Sequence, residues 1–474
     1  MMKMAQKRRS SKPRAGSPLS AGRFAFIATT LLLVSGFLMA GGGRDDLLSL
    51  LVWRPLSMIF LALAIALHFG DAWRNGRALM LFALAVMLLP ALQLIPLPPS
   101  LWSSLPGREL IAAIYRDAGM ALPWQPFSLA QARTWNALFS LAAPLAMLVL
   151  VLSVDMKSHR RILLILIGLG FVSGILGMLQ AIGSANGPLY FYRITNNGLS
   201  VGLFANRNHQ AAFLAAMFPL IAAQLSFFKG KPEQLSFQRA LAVVAGLMLL
   251  LLILMTGSRA GIVLAVFGIA SSWWVYRRPV AKERTAERGT EHRTRMIGFG
   301  LTALLLVFAA IVAARTPAVE RLLETDSTDE LRVTSLPIVM KAVEEFAPFG
   351  SGLGTFVETY QIFEPNKLVG PTYFNHAHND YLEVLMTAGI PGVALIIWAA
   401  LLGLWALRSQ VRLRGLSQDE PGFQAQVLGR AGLSIIAMLA LNSAADYPLR
   451  VPSLMLLAAV AAGWCSNAHR AAQR

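Results

Sequence analysis

A run of about twenty apolar residues has one economical way to cross a bilayer, as a helix that satisfies its own backbone polar groups. This sequence repeats such a run about twelve times. The runs lie near 24–40, 47–69, 78–96, 136–154, 162–183, 209–228, 240–256, 260–276, 298–314, 388–407, 431–446 and 452–466. Only 14% of the 474 residues are charged and 56% are hydrophobic, which is too little polar cover for the surface of a soluble chain of this length. The expectation is an all-α polytopic membrane protein with about twelve transmembrane helices. A soluble multidomain enzyme, a fibrous repeat and a disordered chain are excluded.

The net charge of +18 would suggest nucleic acid if it were clustered on a soluble domain. Its distribution says otherwise. With the N-terminus cytoplasmic, the tail 1–23, the inside loops and the tail 467–474 hold 28 of the 42 Lys and Arg, as the positive-inside rule requires. The surplus is therefore a topology signal with a possible contact to anionic membrane lipids, and no nucleic-acid partner is expected. Residues 1–40 have the outline of a signal peptide, but Leu38 stands where a small residue precedes a cleavage site, so 24–40 is read as an uncleaved first span. Cys465 is the single cysteine, which closes disulfide and sulfur-metal readings.

Between the tails the chain divides into spans one to nine over 24–314, an outer loop 315–387 and spans ten to twelve over 388–466. A second outer loop, 97–135, is rich in proline and tryptophan and suits a segment resting at the headgroup level. In the larger loop Ser327 and Glu330 have capping-box spacing, and Leu331, Leu336, Val339, Val343 and Phe346 follow at helical intervals. Pro337 should kink that helix or begin it. Gly350, Gly352 and Gly354 make a flexible turn, and Phe356 to Phe363 can form a second short helix. Together these predict a helical periplasmic cap that carries the chemistry.

Three polar constellations stand beside the spans. Phe204 to His209 includes Arg207, and Thr256 to Gly261 includes Arg259, both at the outer membrane face. A guanidinium keeps its charge at working pH and offers a fork of donors that matches phosphate oxygens. The alternative for each is snorkelling to headgroups or pairing with a carboxylate such as Asp446. Arg54, alone beside Pro55, is read as structural. The third constellation, Asn375 to Glu383, holds His376 and His378, and histidine is the side chain that exchanges a proton near neutral pH. Asp380 or Glu383 is positioned in sequence to orient it. Two histidines without further specified ligands make a poor metal site, and none is expected.

These segments together resemble the O-antigen ligase and polymerase superfamily of bacterial membrane glycosyltransferases. The likeness rests on Thr256 to Gly261, on Gly350-Ser351-Gly352-Leu353-Gly354-Thr355-Phe356, and on His378-Asn379 followed by Gly389, and it covers mainly 190 to 400. It implies transfer of a glycan from undecaprenyl diphosphate to an acceptor glycan at the periplasmic face of the inner membrane. On that pattern Arg207 and Arg259 hold the diphosphate and His378 is the general base. His376 is a secondary candidate for substrate binding, with a role the likeness does not fix. The resemblance calls for no metal, nucleotide sugar or other cofactor. A polymerase of O-antigen or exopolysaccharide, with a chain-length regulator as a possible partner, is favoured over a ligase acting on lipid A core. The rival from another class is a twelve-helix glycan or lipid transporter, although such carriers often divide into two similar halves and no repeat is visible here.

Overall fold

The structure is a computed structural model that describes residues 21–44, 47–278, 327–370 and 373–473. It is mostly helical, at 73%. Eight helices among the described residues are long and apolar enough to cross a membrane. In chain order the long helices are α1 (Ala21–Met39), α2 (Leu50–Gln93), α5 and α6 (Gln131–Ser140 and Ala142–Ser153), α7 (Met156–Ile182), α8 (Arg207–Ser226) and α9 (Pro232–Leu254). They continue with α10 (Arg259–Val275), α13 (Asp380–Arg412), α14 (Phe423–Ser443) and α15 (Pro452–Gln473). The run 298–314 lies outside the described residues. Runs 47–69 and 78–96 share α2, and 260–276 is the shorter apolar helix α10. Run 452–466 belongs to α15, whose far end carries Asn467, His469 and Arg470.

By sequence, 70–77 is the inside loop between the runs 47–69 and 78–96, and the structure corrects this. Those residues are helical, and α2 runs 44 residues with one non-helical residue, Gly76, at φ −155 and ψ 44. A straight helix of that length would measure roughly 66 Å, twice a hydrocarbon core. The break turns it back on itself. Asn75 beside it donates to Leu152 O at 2.7 Å and accepts at its own carbonyl from Ser466 Oγ at 3.0 Å, at one end of α6 and α15. At the other end of the bundle Trp53 packs beside Gly36, and Gln93 Oε1 accepts from Leu353 N at 2.8 Å. Asp71 and Arg74, which mark a loop by hydropathy, instead pair with each other on the helix surface.

The large core is built from α1, α2, α6 to α10, α14 and α15. A second, smaller core lies at the end of the bundle reached by Gln93. There α11 (Ser327–Phe346) and α12 (Phe356–Phe363) pack Val339, Ala342, Phe346, Phe356 and Tyr360 against Met386. Pro337 lies inside α11 rather than at its start. The outer loop 97–135 is folded too, into the two short strands β1 (Pro96–Leu97) and β2 (Gln125–Pro126), paired antiparallel, and the helices α3 (Pro99–Trp102) and α4 (Glu109–Asp117). Buried Arg108 ties this loop to α11, donating to Phe127 O at 2.8 Å with its guanidinium 5.4 and 5.7 Å from the Phe127 and Phe346 ring centres.

One glycine sets how this end layer meets the bundle. Gly389 interrupts α13 at φ +55, and a Cβ there would stand 2.2 Å from Pro348 O. The backbone conformation is left-handed and the clash is with main chain, so neither relaxes by rotating a side chain. Gly389→Ala is expected to destabilise the protein by about 1–3 kcal/mol, seen as a lower melting temperature in detergent; an unchanged melting temperature would contradict this.

Candidate functional site

Three of the helices that begin at this end are capped in the same way, and the caps place the sequence-predicted residues. Asn206 caps α8 by accepting from Asn208 N at 2.8 Å, and Ser258 caps α10 by accepting from Gly261 N at 3.0 Å. Asn379 caps α13 by accepting from Tyr381 N and Leu382 N at 3.0 and 3.1 Å. Short polar side chains take up the backbone donors that a helix start leaves unpaired. Arg207 and Arg259 are each the first residue after a cap, and His378 immediately precedes one. Helix N-termini carry partial positive charge, so the two guanidiniums stand where an anion is already favoured.

The three segments are joined through side chains. Ser258 Oγ donates to Asn208 Oδ1 at 2.8 Å, and Asn208 Nδ2 donates to Asp446 Oδ2 at 2.8 Å. The other oxygen of that carboxylate, Oδ1, lies 3.3 Å from His378 Nδ1 and accepts from Tyr447 N at 3.0 Å. Asp446 is wholly buried. Arg207 and Arg259 thus stand one residue away from a continuous line of hydrogen bonds that ends on His378. Arg207 is further fixed by its backbone N, which donates to Asn196 Oδ1 at 3.0 Å. Arg259 is exposed.

The carboxylate beside His378 corrects the sequence expectation. Asp380 and Glu383 begin α13, but that turn faces Arg450: Asp380 Oδ1 is 3.1 Å from Arg450 Nε and Glu383 Oε1 is 3.1 Å from Arg450 Nη1. Asp380 Oδ2 also accepts from Ser443 Oγ at 2.9 Å. Glu383, 1% exposed, takes His376 Nδ1 at 3.1 Å and Ala377 N at 3.0 Å. His376 Nε2 lies 3.3 Å from Gly43 O. Both ring nitrogens of His376 therefore face acceptor atoms. His378 has one nitrogen on a carboxylate, which makes Nε2 the basic one.

His378 is the one non-glycine residue with positive φ among the described residues, at +49. The left-handed conformation costs about 1–2 kcal/mol for an L-residue, and such strain collects at functional positions. Phe374 and Tyr447 hold the ring, with centres 5.5 and 5.0 Å away. Tyr447 also packs on His376 at 4.3 Å and edge-on to buried His209 at 5.1 Å. Tyr192, in the loop before α8, accepts from Gly41 N at 2.7 Å. Burial pushes its hydroxyl up to about 12, so it stays protonated while it pins the turn after α1.

Asp446, Tyr447 and Arg450 were not singled out as site residues by the sequence. The signal available was one buried-type acid at the end of an apolar run, which Asp446 is. Asp446→Asn is expected to lower activity about 10²-fold, because an amide cannot hold the imidazole with Nδ1 protonated and stabilise the charge that forms on it. The comparison to make is the rate beside the melting temperature; a large loss of stability with the specific rate intact would contradict a positioning role.

Residues 243–397 match the family model described as O-antigen ligase. No curated protein matches the chain. The match covers 155 of the 474 residues and supports the likeness to the O-antigen ligase and polymerase superfamily that the sequence resemblance implied. The matched stretch contains Arg259, His376 and His378, and leaves Arg207 and Asp446 outside it.

Proposed function

With the chain taken as a bacterial membrane enzyme of the O-antigen ligase and polymerase type, we propose that it transfers a glycan from undecaprenyl diphosphate to the hydroxyl of an acceptor sugar. The reaction site is the junction of α8, α10 and α13 at the end of the bundle covered by α11 and α12. In this reading that end is periplasmic, the small layer is a periplasmic cap, both termini are cytoplasmic and the full chain crosses the inner membrane about twelve times.

His378 Nε2 accepts the proton of the acceptor hydroxyl as its oxygen attacks the anomeric carbon. The bond from that carbon to the diphosphate oxygen breaks, and the diphosphate leaves as an anion beside Arg207 and Arg259. Asp446 steadies the imidazolium. A leaving diphosphate needs electrostatic support rather than a proton donor, and fixed cations at helix N-termini supply it without reorganisation. His376 positions the 375–380 turn through Glu383 and the Gly43 carbonyl. No step calls for a metal or a nucleotide sugar.

The observation that carries the reading is the Ser258 to Asn208 to Asp446 to His378 line, which joins two arginine-bearing helix starts to one histidine. A transporter has no need to hold an imidazole on a buried carboxylate beside two such cations. The polymerase form of the reaction is tested with purified protein and a single lipid-linked repeat unit. A ladder of product lengths is expected; a single product that forms only with lipid A core would decide for a ligase.

A further inference from the structure

The end of the bundle opposite the proposed transfer site carries a second group of arginines, which the steps above leave unused. There α8, α10 and α13 finish and α14 begins. Arg277 follows the end of α10, Arg414 follows the end of α13, and Arg430 lies about two turns inside α14. Arg430 is 4% exposed. It donates from Nη1 to Trp274 O at 2.8 Å, with its guanidinium 5.3 Å from the Trp274 ring centre. That bond serves the last turn of α10, whose carbonyls attract a cation. A guanidinium has further donors, and Nε of Arg430 is buried without a partner among the described residues. The same holds for Nε of Arg277.

No opposite charge answers this group. Arg277 and Arg414 both act electrostatically on Arg430, and Arg414 acts on Arg277. Burial first, and then the charge of Arg414, hold the Arg277 guanidinium below its ordinary pKa. Among the described residues no carboxylate lies within ion-pair reach of the three. The acids of the turn between α13 and α14 are engaged elsewhere: Asp419 pairs with Lys229, and Glu420 accepts from Ser417 N at 2.8 Å. A topology signal needs only basic residues in the loops. It does not need a guanidinium buried within a helix beside two others, which is costly unless an anion offsets the charge.

The surroundings say where that anion comes from. Trp273, next to the indole that Arg430 covers, is 84% exposed, and Val263 and Val266 earlier on α10 are exposed as well. An exposed indole at the end of an apolar helix marks the headgroup level of a bilayer. The arginines therefore stand at the depth of lipid phosphates.

We infer that Arg277, Arg414 and Arg430 form a phosphate site that holds the headgroup of an anionic phospholipid where α10, α13 and α14 meet. Guanidinium forks match phosphate oxygens, and basic pockets between spanning helices suit headgroups of this class. The inference does not depend on the transferase reading. Within that reading this end is cytoplasmic, so the lipid belongs to the inner leaflet.

The test uses the full-length protein in detergent, with cardiolipin as the probe and bound lipid measured by native mass spectrometry. Arg277→Gln and Arg414→Gln are each expected to weaken cardiolipin binding about 10-fold. Neither side chain bonds another described residue, so both variants should keep the native melting temperature without lipid. Added cardiolipin should raise that temperature in the native protein more than in either variant. Arg23→Gln removes the same charge from an exposed position at the start of α1, at the same end of the bundle, and should bind cardiolipin as the native protein does. Cardiolipin binding that survives both Arg277→Gln and Arg414→Gln, or that falls equally in Arg23→Gln, would overturn the inference. Inorganic phosphate should bind far more weakly than cardiolipin, because it gains nothing from the apolar surface beside the site. Phosphate bound as tightly as cardiolipin, and lost in the same two variants, would overturn the lipid assignment in favour of a soluble phosphate.

Discussion

Replacing His378 by alanine is expected to slow glycan transfer about 10²- to 10⁴-fold, the usual worth of a positioned general base, with little change in the binding of the lipid-linked donor. The acceptor hydroxyl is a poor nucleophile at neutral pH, and in the proposed reaction the imidazole takes its proton. His378→Gln is the sharper variant. An amide can keep a hydrogen bond to Asp446 and fill the space between Phe374 and Tyr447, but it cannot accept the proton. It should be as inactive as the alanine variant in single-turnover release of undecaprenyl diphosphate. A glutamine variant with most of the native rate would reduce His378 to a scaffold for the turn it occupies. A transporter, by contrast, would keep moving its cargo in either variant.

The arginine pair should matter almost as much, for a different reason. Arg207→Ala and Arg259→Ala are each expected to lower the transfer rate about 10²- to 10³-fold, the range seen when one preorganised group facing a developing anion is removed. Lysine should recover little at either position, since a single ammonium cannot reproduce a planar fork of donors on a diphosphate. The double variant should fall short of the product of the two single effects, because both cations act on one leaving group. Rates and donor affinity are to be measured on the same preparations. Near-native transfer in either alanine variant would place that arginine outside the site.

The placement of the two arginines at helix starts was legible because each follows a short polar cap in an otherwise apolar stretch: Asn206 before Arg207 and Ser258 before Arg259. A helix start is a local event, so sequence spacing alone brings both to one level. The second short helix, Phe356–Phe363, was legible for the same reason, with Gly350, Gly352 and Gly354 all at positive φ before it. The partner of His378 was not. Asp380 and Glu383 are near it in the chain, but the helix they begin aims them at Arg450, and the acid that reaches the imidazole is 68 residues away. Long-range pairing of this kind leaves no periodic trace. The helical character of 70–77 was missed because Asp71, Arg74 and Arg77 lower the hydropathy there without breaking helix geometry; the break is at Gly76 alone.

The claim on which the rest depends is that this chain breaks one glycosidic bond to a lipid diphosphate and makes another by direct displacement. Purified protein in proteoliposomes, given a lipid-diphosphate-linked repeat unit of defined anomeric configuration, tests it by NMR of the new linkage. An inverted linkage at the transferred sugar and one undecaprenyl diphosphate released per bond formed are expected. Retained configuration, or lipid-linked glycan that crosses the bilayer with no new bond, would contradict it.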